Sequence, residues 1–444
     1  MGAVRNYCIK IKKEHFAQAA KVDFGDIPGR LCVNSTHTKP SIESPRPYDM
    51  VQLDGHKVDS EVSVKLLDEY GNTQYAPLSR IWLLTVIDTA SRAVLGYYVS
   101  LSQNYTMEDV LGCIASALDC SEDALLGLPT REIEECKGRL FNCIKFDNAY
   151  AQISTWLQEK LINAGVQEVI SNRAARPRSN AIVERFFKTL EEESIHQFPT
   201  TTGSHIRDPR RRNPLKAANE LAIHLEDIEN ALKLTIEWYN NAPHTSLNGI
   251  SPIEFLKYSI EQQSDLVRSI SESGISVNEL FRRQFPLTIR GNKSQGHPPY
   301  IQFKSARYTS EGLTKCPDLI GQIAVFETDI RDIRKGSLFL TNGKFIDEVT
   351  VSQKWATHKH SLRDRIAITK LAREKKINYG SCSPLIEYTD FLAERSLTSR
   401  KERNEYIRVG RSLGGNGFRE QIKKNEVKVS SENTISLSKI SNVR

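Results

Sequence analysis

Three short apolar runs near the start of the chain restrict its fold more than any other feature. Residues 48–54 (YDMVQLD), 81–87 (IWLLTVI) and 93–99 (AVLGYYV) have the length and composition of β-strands, and turn formers separate them. The pattern that follows gives the order β-β-β-α-β-α-β-α up to residue 194. This order predicts a mixed α/β sheet that begins with an antiparallel meander, and it excludes the strict alternation of a doubly wound fold.

The later elements are predicted from the spacing of apolar residues and from run length. The spacing predicts helices at residues 106–118, 153–164, 181–194 and 221–239, and strands at 142–146 and 166–170.

Two shifts in composition divide the chain. Residues 1–46 are rich in turn formers and are predicted to form an arm or linker, and residues 47–265 form the α/β core with its closing helices. Short β-like runs separated by Gly, Asn and Pro predict a small β-barrel or sandwich over residues 280–365. Residues 366–444 are predicted to form a helical and flexible basic tail.

Composition limits the class of protein. The chain has 39% hydrophobic and 26% charged residues, so it can bury a sizeable core. It has neither an apolar run long enough for a membrane span nor a secretory signal, and its eight cysteines include no C-x-x-C pair, so we expect a cytoplasmic protein with reduced thiols. Residues 396–444 hold 11 Lys and Arg against 5 Asp and Glu, which leaves the remainder almost neutral within a net charge of +7. If the chain binds a nucleic acid such as DNA, the positive charge for that contact must therefore come from local patches and the tail.

Three acidic residues stand where such a sheet can bring them together. Asp54 lies in the first predicted strand, Asp147 follows the fourth, and Glu184 lies in the first turns of the helix at 181–194. Phosphodiester cleavage and joining need an in-line nucleophile and neutralisation of charge on phosphoryl oxygens, which two Mg²⁺ ions about 3.5–4 Å apart provide. Mg²⁺ prefers hard oxygen ligands on rigid elements. The three carboxylates are therefore candidate ligands of two Mg²⁺ ions, for which Mn²⁺ is expected to substitute.

Several neighbours of these carboxylates are expected to assist. His56 shares the strand face of Asp54, and we expect His56 and Asn148 to contact the metal ligands or a metal-bound water. Lys188 shares the helical face of Glu184 and could hold a phosphate. Two basic loop clusters are further candidates for contact with the DNA backbone: Arg173, Arg176 and Arg178, and Arg210, Arg211 and Arg212.

Simpler structural roles are favoured for other acidic residues. Asp88 ends a strand before Ser91 and is interpreted as a turn cap or salt-bridge partner rather than a metal ligand. Glu191, Glu192 and Glu193 are interpreted as a solvated helix face.

Four segments carry a resemblance to a known superfamily. They are QLDGH at residues 52–56, TVIDTASR at 85–92, FDNAY at 146–150 and NAIVERFFKTL at 180–190. In this order they resemble the catalytic core of the integrase/transposase superfamily with its D, D, E triad. The segment WYNNAPHTSLNGISP at 238–252 looks like the one that closes such cores, and FETDIR at 326–331 resembles the β-barrel of phage Mu transposase and its TnsB and TniA relatives. The resemblance covers about residues 46–365.

The resemblance implies a fold and an activity. It implies an RNase H-like core, with a mixed five-stranded sheet and helices, followed by a Mu-transposase-type β-barrel and a helical or disordered tail. Asp54, Asp147 and Glu184 would ligate the two metals. Such proteins nick transposon 3′ ends with water and then use the freed 3′-OH to attack target DNA. They work as oligomers on paired ends, associated with the bacterial nucleoid, and the basic tail would dock an AAA+ ATPase partner.

Two departures keep alternatives open. Ala149 stands where the superfamily often has Gly after the Asp-Asn pair. The 46 residues before the core are too few for the helix-turn-helix domains that precede it in TnsB- and Mu-like proteins, so we expect another chain or the tail to recognise the DNA ends. The alternatives are an RNase H-like nuclease and a truncated or domesticated relative that binds only DNA or a partner.

Overall fold

The structure of the chain is a computed structural model. It describes residues 2–24, 46–67, 73–79, 81–118, 138–146, 155–171, 180–201, 220, 223–262, 267–270, 276–378 and 383–413.

A mixed five-stranded sheet forms the first half of the molecule, as the sequence predicts. Its order is β5-β4-β1-β6-β7, in which β4 lies antiparallel to both β1 and β5, whereas β6 lies parallel to β1 and β7. A separate hairpin, β2–β3, which was not predicted from the sequence, is inserted after β1. The seven strands are β1 (Met50–Lys57), β2 (Ser63–Leu67), β3 (Thr73–Pro77), β4 (Trp82–Asp88), β5 (Val94–Ser100), β6 (Cys143–Phe146) and β7 (Glu168–Ser171).

Helices cover both faces of the sheet, because the buried strands alternate apolar side chains to the two sides. Leu84 and Val86 of β4 belong to one apolar cluster with the first pair of helices, whereas Leu83 and Ile87 belong to a second cluster with the next pair. The first pair is α3 (Met107–Leu118) and α4 (Thr155–Asn163), and the second pair is α5 (Ala181–Glu193) and α6 (Leu225–Asn241).

The turn after β4 is organised by a fully buried carboxylate. Asp88 Oδ1 accepts a hydrogen bond from the Tyr48 backbone N–H over 2.8 Å. Its Oδ2 accepts from the backbone N–H and the hydroxyl of Ser91, each over 2.7 Å, and from the Ala90 N–H over 3.1 Å. Burial raises the pKa of Asp88, and these hydrogen bonds act in the opposite direction. Asp88 therefore caps this turn, as its position in the sequence indicates, and ties it to the start of β1.

A closed six-stranded barrel follows the sheet domain, in the order β10-β13-β12-β11-β8-β9. Its interior is apolar and includes Ile289, Tyr308 and Phe326, all fully buried. The Arg283 guanidinium lies 5.2 Å from the centre of the Trp156 ring of α4, which joins the barrel to the sheet domain. The strands are β8 (Arg282–Asn292), β9 (His297–Phe303), β10 (Ala306–Thr309), β11 (Ile323–Asp329), β12 (Lys335–Leu340) and β13 (Phe345–Val351).

The helices after the barrel return to the sheet domain. Arg403 of α12 donates to the Pro77 carbonyl oxygen, and the Asn404 side chain donates to the Leu101 carbonyl oxygen over 2.7 Å. Among the described residues, no helix is both long and apolar enough to cross a membrane. The remaining helices are α1 (Gly2–Glu14), α2 (Phe16–Phe24), α7 (Pro252–Gln262), α8 (Glu311–Thr314), α9 (Gln353–Ala356), α10 (Leu362–Arg373), α11 (Pro384–Ser396) and α12 (Arg400–Ser412).

The side chain of Asn240, near the end of α6, binds the edge strand β5. Its Oδ1 accepts from the Val94 N–H over 2.9 Å, and its Nδ2 donates to the Val94 carbonyl oxygen over 3.0 Å. Asn240 is fully buried, so both groups of Val94 depend on this one amide.

We expect Asn240→Asp to lower the free energy of unfolding by about 3 kcal/mol. The carboxylate can still accept from Val94 N–H but leaves the carbonyl oxygen without its donor and buries a charge. Asn241→Asp, at the exposed neighbour that ends the same helix, is the control. It loses only a surface hydrogen bond to the Glu237 carbonyl oxygen and should cost less than about 1 kcal/mol. Urea unfolding measures both, and equal stability of the two variants would contradict this assignment.

We also expect His360 to make stability depend on pH. The residue is 2% exposed, and its Nε2 accepts from Arg365 Nε over 3.1 Å. Burial, and then the charge of Arg365, lowers its pKa from 6.5 to about 4. The pKa of His360 is lower in the folded state than in the unfolded chain. Its contribution to the free energy of unfolding is therefore fully present above about pH 6.5 and is lost as the pH falls towards about 4, by up to about 3 kcal/mol.

Urea unfolding of the wild type and of His360→Gln, at about pH 7 and about pH 5, measures this contribution. Glutamine offers an oxygen to Arg365 without titrating. The stability of His360→Gln should therefore fall less on acidification than that of the wild type, and parallel pH profiles would rule the effect out.

Candidate active site on the central strand

Asp54 lies in the middle of β1, the central strand of the sheet. It is half-buried, and in the antiparallel register it stands opposite Thr85 of β4. Its Oδ1 accepts a hydrogen bond from the Gly55 N–H over 2.7 Å. Strand alternation places Asp54 on the same face as Thr85 and His56, which is the face covered by α5.

Strand β6 runs beside this part of β1. In the parallel register Phe146 stands opposite Leu53, so the described part of β6 ends beside the residue that precedes Asp54. Asp147 and Asn148 follow Phe146 in the sequence and lie outside the described residues. One position earlier, Lys145 stands opposite Gln52, on the face of Asp54, and burial lowers its pKa. Lys145 was not predicted from the sequence as a residue of this site.

Glu184 lies in the first turn of α5, and its side chain is exposed. The opposite side of the helix is buried through Val183, Phe186, Phe187 and Leu190, close to the set that the apolar spacing predicts. Lys188 is exposed one turn further on, and its Nζ lies 3.7 Å from Glu192 Oε1. The helix therefore presents Glu184 to solvent at its N-terminal end while its other side packs on the sheet.

One set of contacts ties β1 to α5. The His56 ring stacks on the Phe187 ring with centroids 4.9 Å apart, and its Nε2 lies 2.8 Å from Glu191 Oε1. Glu191 is 6% exposed, so its interpretation as part of a solvated face is wrong. The residue lies four positions after Phe187 and so shares its buried side, a spacing from which this burial could have been predicted. Asp54 and Glu184 thus lie on two elements that pack directly against each other.

A residue of the closing segment also packs on α5. Tyr239 of α6 packs edge-on against Phe186 of α5, with ring centroids 4.9 Å apart. Burial raises the pKa of Tyr239 to about 12, so its hydroxyl stays neutral. Together with Asn240, which binds β5, Tyr239 fixes α5 relative to the sheet edge.

The basic clusters predicted to contact DNA fall outside the described residues. These are Arg173, Arg176 and Arg178 before α5, and Arg210, Arg211 and Arg212 between α5 and α6.

Comparisons with known proteins bear on this part of the chain. Residues 53–200 match the family model described as TnsB C-terminal domain, and the matched segment contains Asp54, Asp147 and Glu184. No curated protein matches the chain. Among solved structures, a chain of the simian T-cell lymphotropic virus intasome in complex with PP2A regulatory subunit B56 gamma is 12% identical; the match covers 78% of this chain and 98% of that chain, at a TM-score of 0.26. A TM-score this low carries no argument about the fold. The family match relates residues 53–200 to TnsB proteins.

Proposed function

We propose that this chain is a DNA transposase or integrase of the D, D, E type. It would cleave DNA 3′ ends and join them to a target with Asp54, Asp147 and Glu184 as the catalytic carboxylates. The observation that carries the proposal is the position of Asp54, half-buried at the middle of the central strand, on the face against which the Glu184 helix packs. The match of residues 53–200 to the TnsB family model spans all three carboxylates and supports the same assignment.

The sheet topology also supports the proposal of an RNase H-like core. The first three strands of the sheet are antiparallel neighbours, and β6 and β7 add to β1 in parallel, which gives the order β5-β4-β1-β6-β7. In this arrangement the central strand and the strand parallel to it can both direct carboxylates towards one helix.

The donor set fits two Mg²⁺ ions. Asp54 and Glu184 offer hard carboxylate oxygens from a strand and from a helix, both held by buried apolar side chains. The half-buried position of Asp54 lets it meet both an ion and solvent. Bound Mg²⁺ would neutralise the charge that develops on the phosphoryl oxygens and would favour the ionised form of the attacking oxygen. We propose that Mn²⁺ can substitute.

The two reactions share one displacement at phosphorus. In cleavage, water forms a new P–O bond while the bond to the 3′ oxygen breaks, which leaves a free 3′-OH. In joining, that 3′-OH attacks a target phosphodiester, and the target's own 3′ oxygen leaves. In both steps the nucleophile loses a proton and the leaving oxygen gains one, so no net charge is created. The role of this chain is to hold Asp54 and Glu184 in fixed relative positions, through the contact between β1 and α5.

The proposed partners follow from the same assignment. They are transposon-end and target DNA, further copies of this chain assembled on that DNA, an AAA+ ATPase regulator and a separate end-binding protein.

Neutralising any one of the three carboxylates should abolish the chemistry. Asp54→Asn, Asp147→Asn and Glu184→Gln are each expected to lower joining by at least about 1000-fold, because each removes one ligand charge and leaves the shape of the side chain. Joining of labelled DNA ends, taken from the sequence that flanks the gene, into a supercoiled plasmid with Mg²⁺ or Mn²⁺ measures this effect. Glu193→Gln, an exposed position on the same helix, is the matched control and should join like wild type.

The outcomes separate the three functions. Joining by wild type and by Glu193→Gln alone would support the transposase. Nicking without joining would favour an RNase H-like nuclease. Joining that survives in any of the three variants would reject the triad. DNA binding without either reaction would favour a relative that only binds DNA or a partner.

The cluster of Arg210, Arg211 and Arg212 is proposed to contact DNA phosphates. Replacing all three with Ala should weaken DNA binding and should reduce the slope of log K against log salt by up to about 2.7, since each lost phosphate contact removes about 0.9. Fluorescence anisotropy at several salt concentrations measures the slope. Lys293, Lys304 and Lys315, exposed in the barrel domain, form the control set for the same loss of charge. An unchanged slope would dismiss the arginine cluster.

A further inference from the structure

A second cluster of ligand-type side chains lies at the opposite end of α5 from Glu184. One ligand atom each from Asp59, Glu191 and His196 lies within 4.8 Å of the other two. Asp59 follows β1, Glu191 lies in the last turn of α5, and His196 lies in the 3-10 turn Ile195–Gln197. Glu191 is seven residues after Glu184, about 10.5 Å further along the helix, so this cluster is separate from the candidate active site.

The carboxylate of Glu191 is buried, and only one of its two oxygens has a hydrogen-bond partner among the described residues. Its Oε1 faces His56 Nε2 at 2.8 Å and accepts from the Asp59 backbone N–H at 3.1 Å. Its Oε2 is also buried, and among the described residues it has no hydrogen-bond partner. The His196 Nε2 atom lies 3.6 Å from this oxygen, beyond ordinary hydrogen-bond length. A buried carboxylate oxygen left in this state costs free energy, which a cation bound at Oε2 would offset.

The backbone around the cluster is held in place. Ser60 forms a bridge with Thr201, and the Glu61 N–H donates to the Thr200 carbonyl oxygen over 2.9 Å. The Thr201 hydroxyl donates to the Asp59 carbonyl oxygen over 3.1 Å. The segment that follows α5 is therefore hydrogen-bonded to the segment that follows β1, which keeps the three side chains of the cluster close together.

The chemical types of the three ligand atoms indicate which metal ion would bind. One imidazole nitrogen and two carboxylate oxygens match the mixed N/O ligands of Zn²⁺, which binds them at about 2.0–2.2 Å in tetrahedral geometry. Ligand atoms on such an ion lie about 3.3–3.6 Å apart, close to the separation of Glu191 Oε2 from His196 Nε2. Mg²⁺ instead prefers six oxygens. His56, which holds the other oxygen of Glu191, would orient this ligand.

We propose that Asp59, Glu191 and His196 bind one Zn²⁺ ion. The ion would join the end of β1 to the end of α5, the two elements that carry Asp54 and Glu184. Water would complete its coordination. The site rests on these contacts alone and does not depend on the proposed transposase activity.

Zinc titration of the full chain, after treatment with a chelator, tests the proposal. We choose a Glu184→Gln background, so that zinc bound at the candidate active site does not contribute. Calorimetry is expected to show one Zn²⁺ per chain, Co²⁺ in its place should give the visible absorption of a tetrahedral site, and Zn²⁺ should raise the Tm. His196→Gln should weaken zinc binding at least about 100-fold and remove the rise in Tm, and His56→Gln should weaken it about 10-fold. The control His297→Gln, at an exposed barrel position, should bind like the background protein.

A second variant keeps the test independent of folding. Asp59→Asn leaves the buried contact of His56 with Glu191 in place and should also lose tight zinc binding. Circular dichroism without metal verifies that each variant is folded. The proposal is overturned if the background protein neither binds zinc nor gains Tm, or if folded Asp59→Asn or His196→Gln binds zinc as tightly as the background does. Failure of this site would leave the Asp54, Asp147 and Glu184 assignment intact, since joining is measured separately.

Discussion

Strand β1 runs between an antiparallel neighbour, β4, and a parallel one, β6, so both of its edges are hydrogen-bonded and helices cover both of its faces. A charged side chain in such a strand has a high desolvation cost unless one side opens to solvent or to a counter-charge. The side chains of Val51 and Leu53 lie on one face of β1 and are fully buried. The side chain of Asp54 lies on the other face and is only partly buried. The enclosure of the strand thus fixes the backbone of Asp54 and leaves its side chain only partly closed from solvent.

Helix α5 carries two carboxylates with opposite surroundings. Glu184 is exposed near the N-terminal end and Glu191 is buried near the other end. The position of Glu184 could be predicted from sequence, because an apolar stripe and a helix start are local patterns. The burial of Glu191 was missed, although its spacing from Phe187 indicates it, because three consecutive glutamates resemble a solvated face. Its partner His56 is distant in sequence and could not be identified from that spacing. Such pairings between distant segments leave no periodic signal.

Much of the fold could be read from the sequence, because apolar runs set the strands of the sheet and most of those of the barrel. The hairpin β2–β3 was missed although Val64 and Leu66 alternate with polar neighbours and are buried. Strand β10 was missed because apolar Ala306 and Tyr308 alternate with polar Arg307 and Thr309, which leaves no apolar run. The return of α12 to the sheet domain combines an apolar contact, through Ile407, with two polar groups, Arg403 and Asn404, which bind backbone carbonyl oxygens. The apolar periodicity of a helix predicts which face is buried, but it does not predict hydrogen bonds made by the polar side chains of that helix.

The amide of Asn240 has a consequence for the state of the protein in solution. Strand β5 is the outer strand of the sheet, and an outer strand offers free backbone groups to which another chain can add. Asn240 occupies the N–H and the carbonyl oxygen of Val94 with the pairing that a neighbouring strand would otherwise supply. A single side chain thereby ends the sheet at this point and removes one pair of backbone groups to which a strand of another molecule could add.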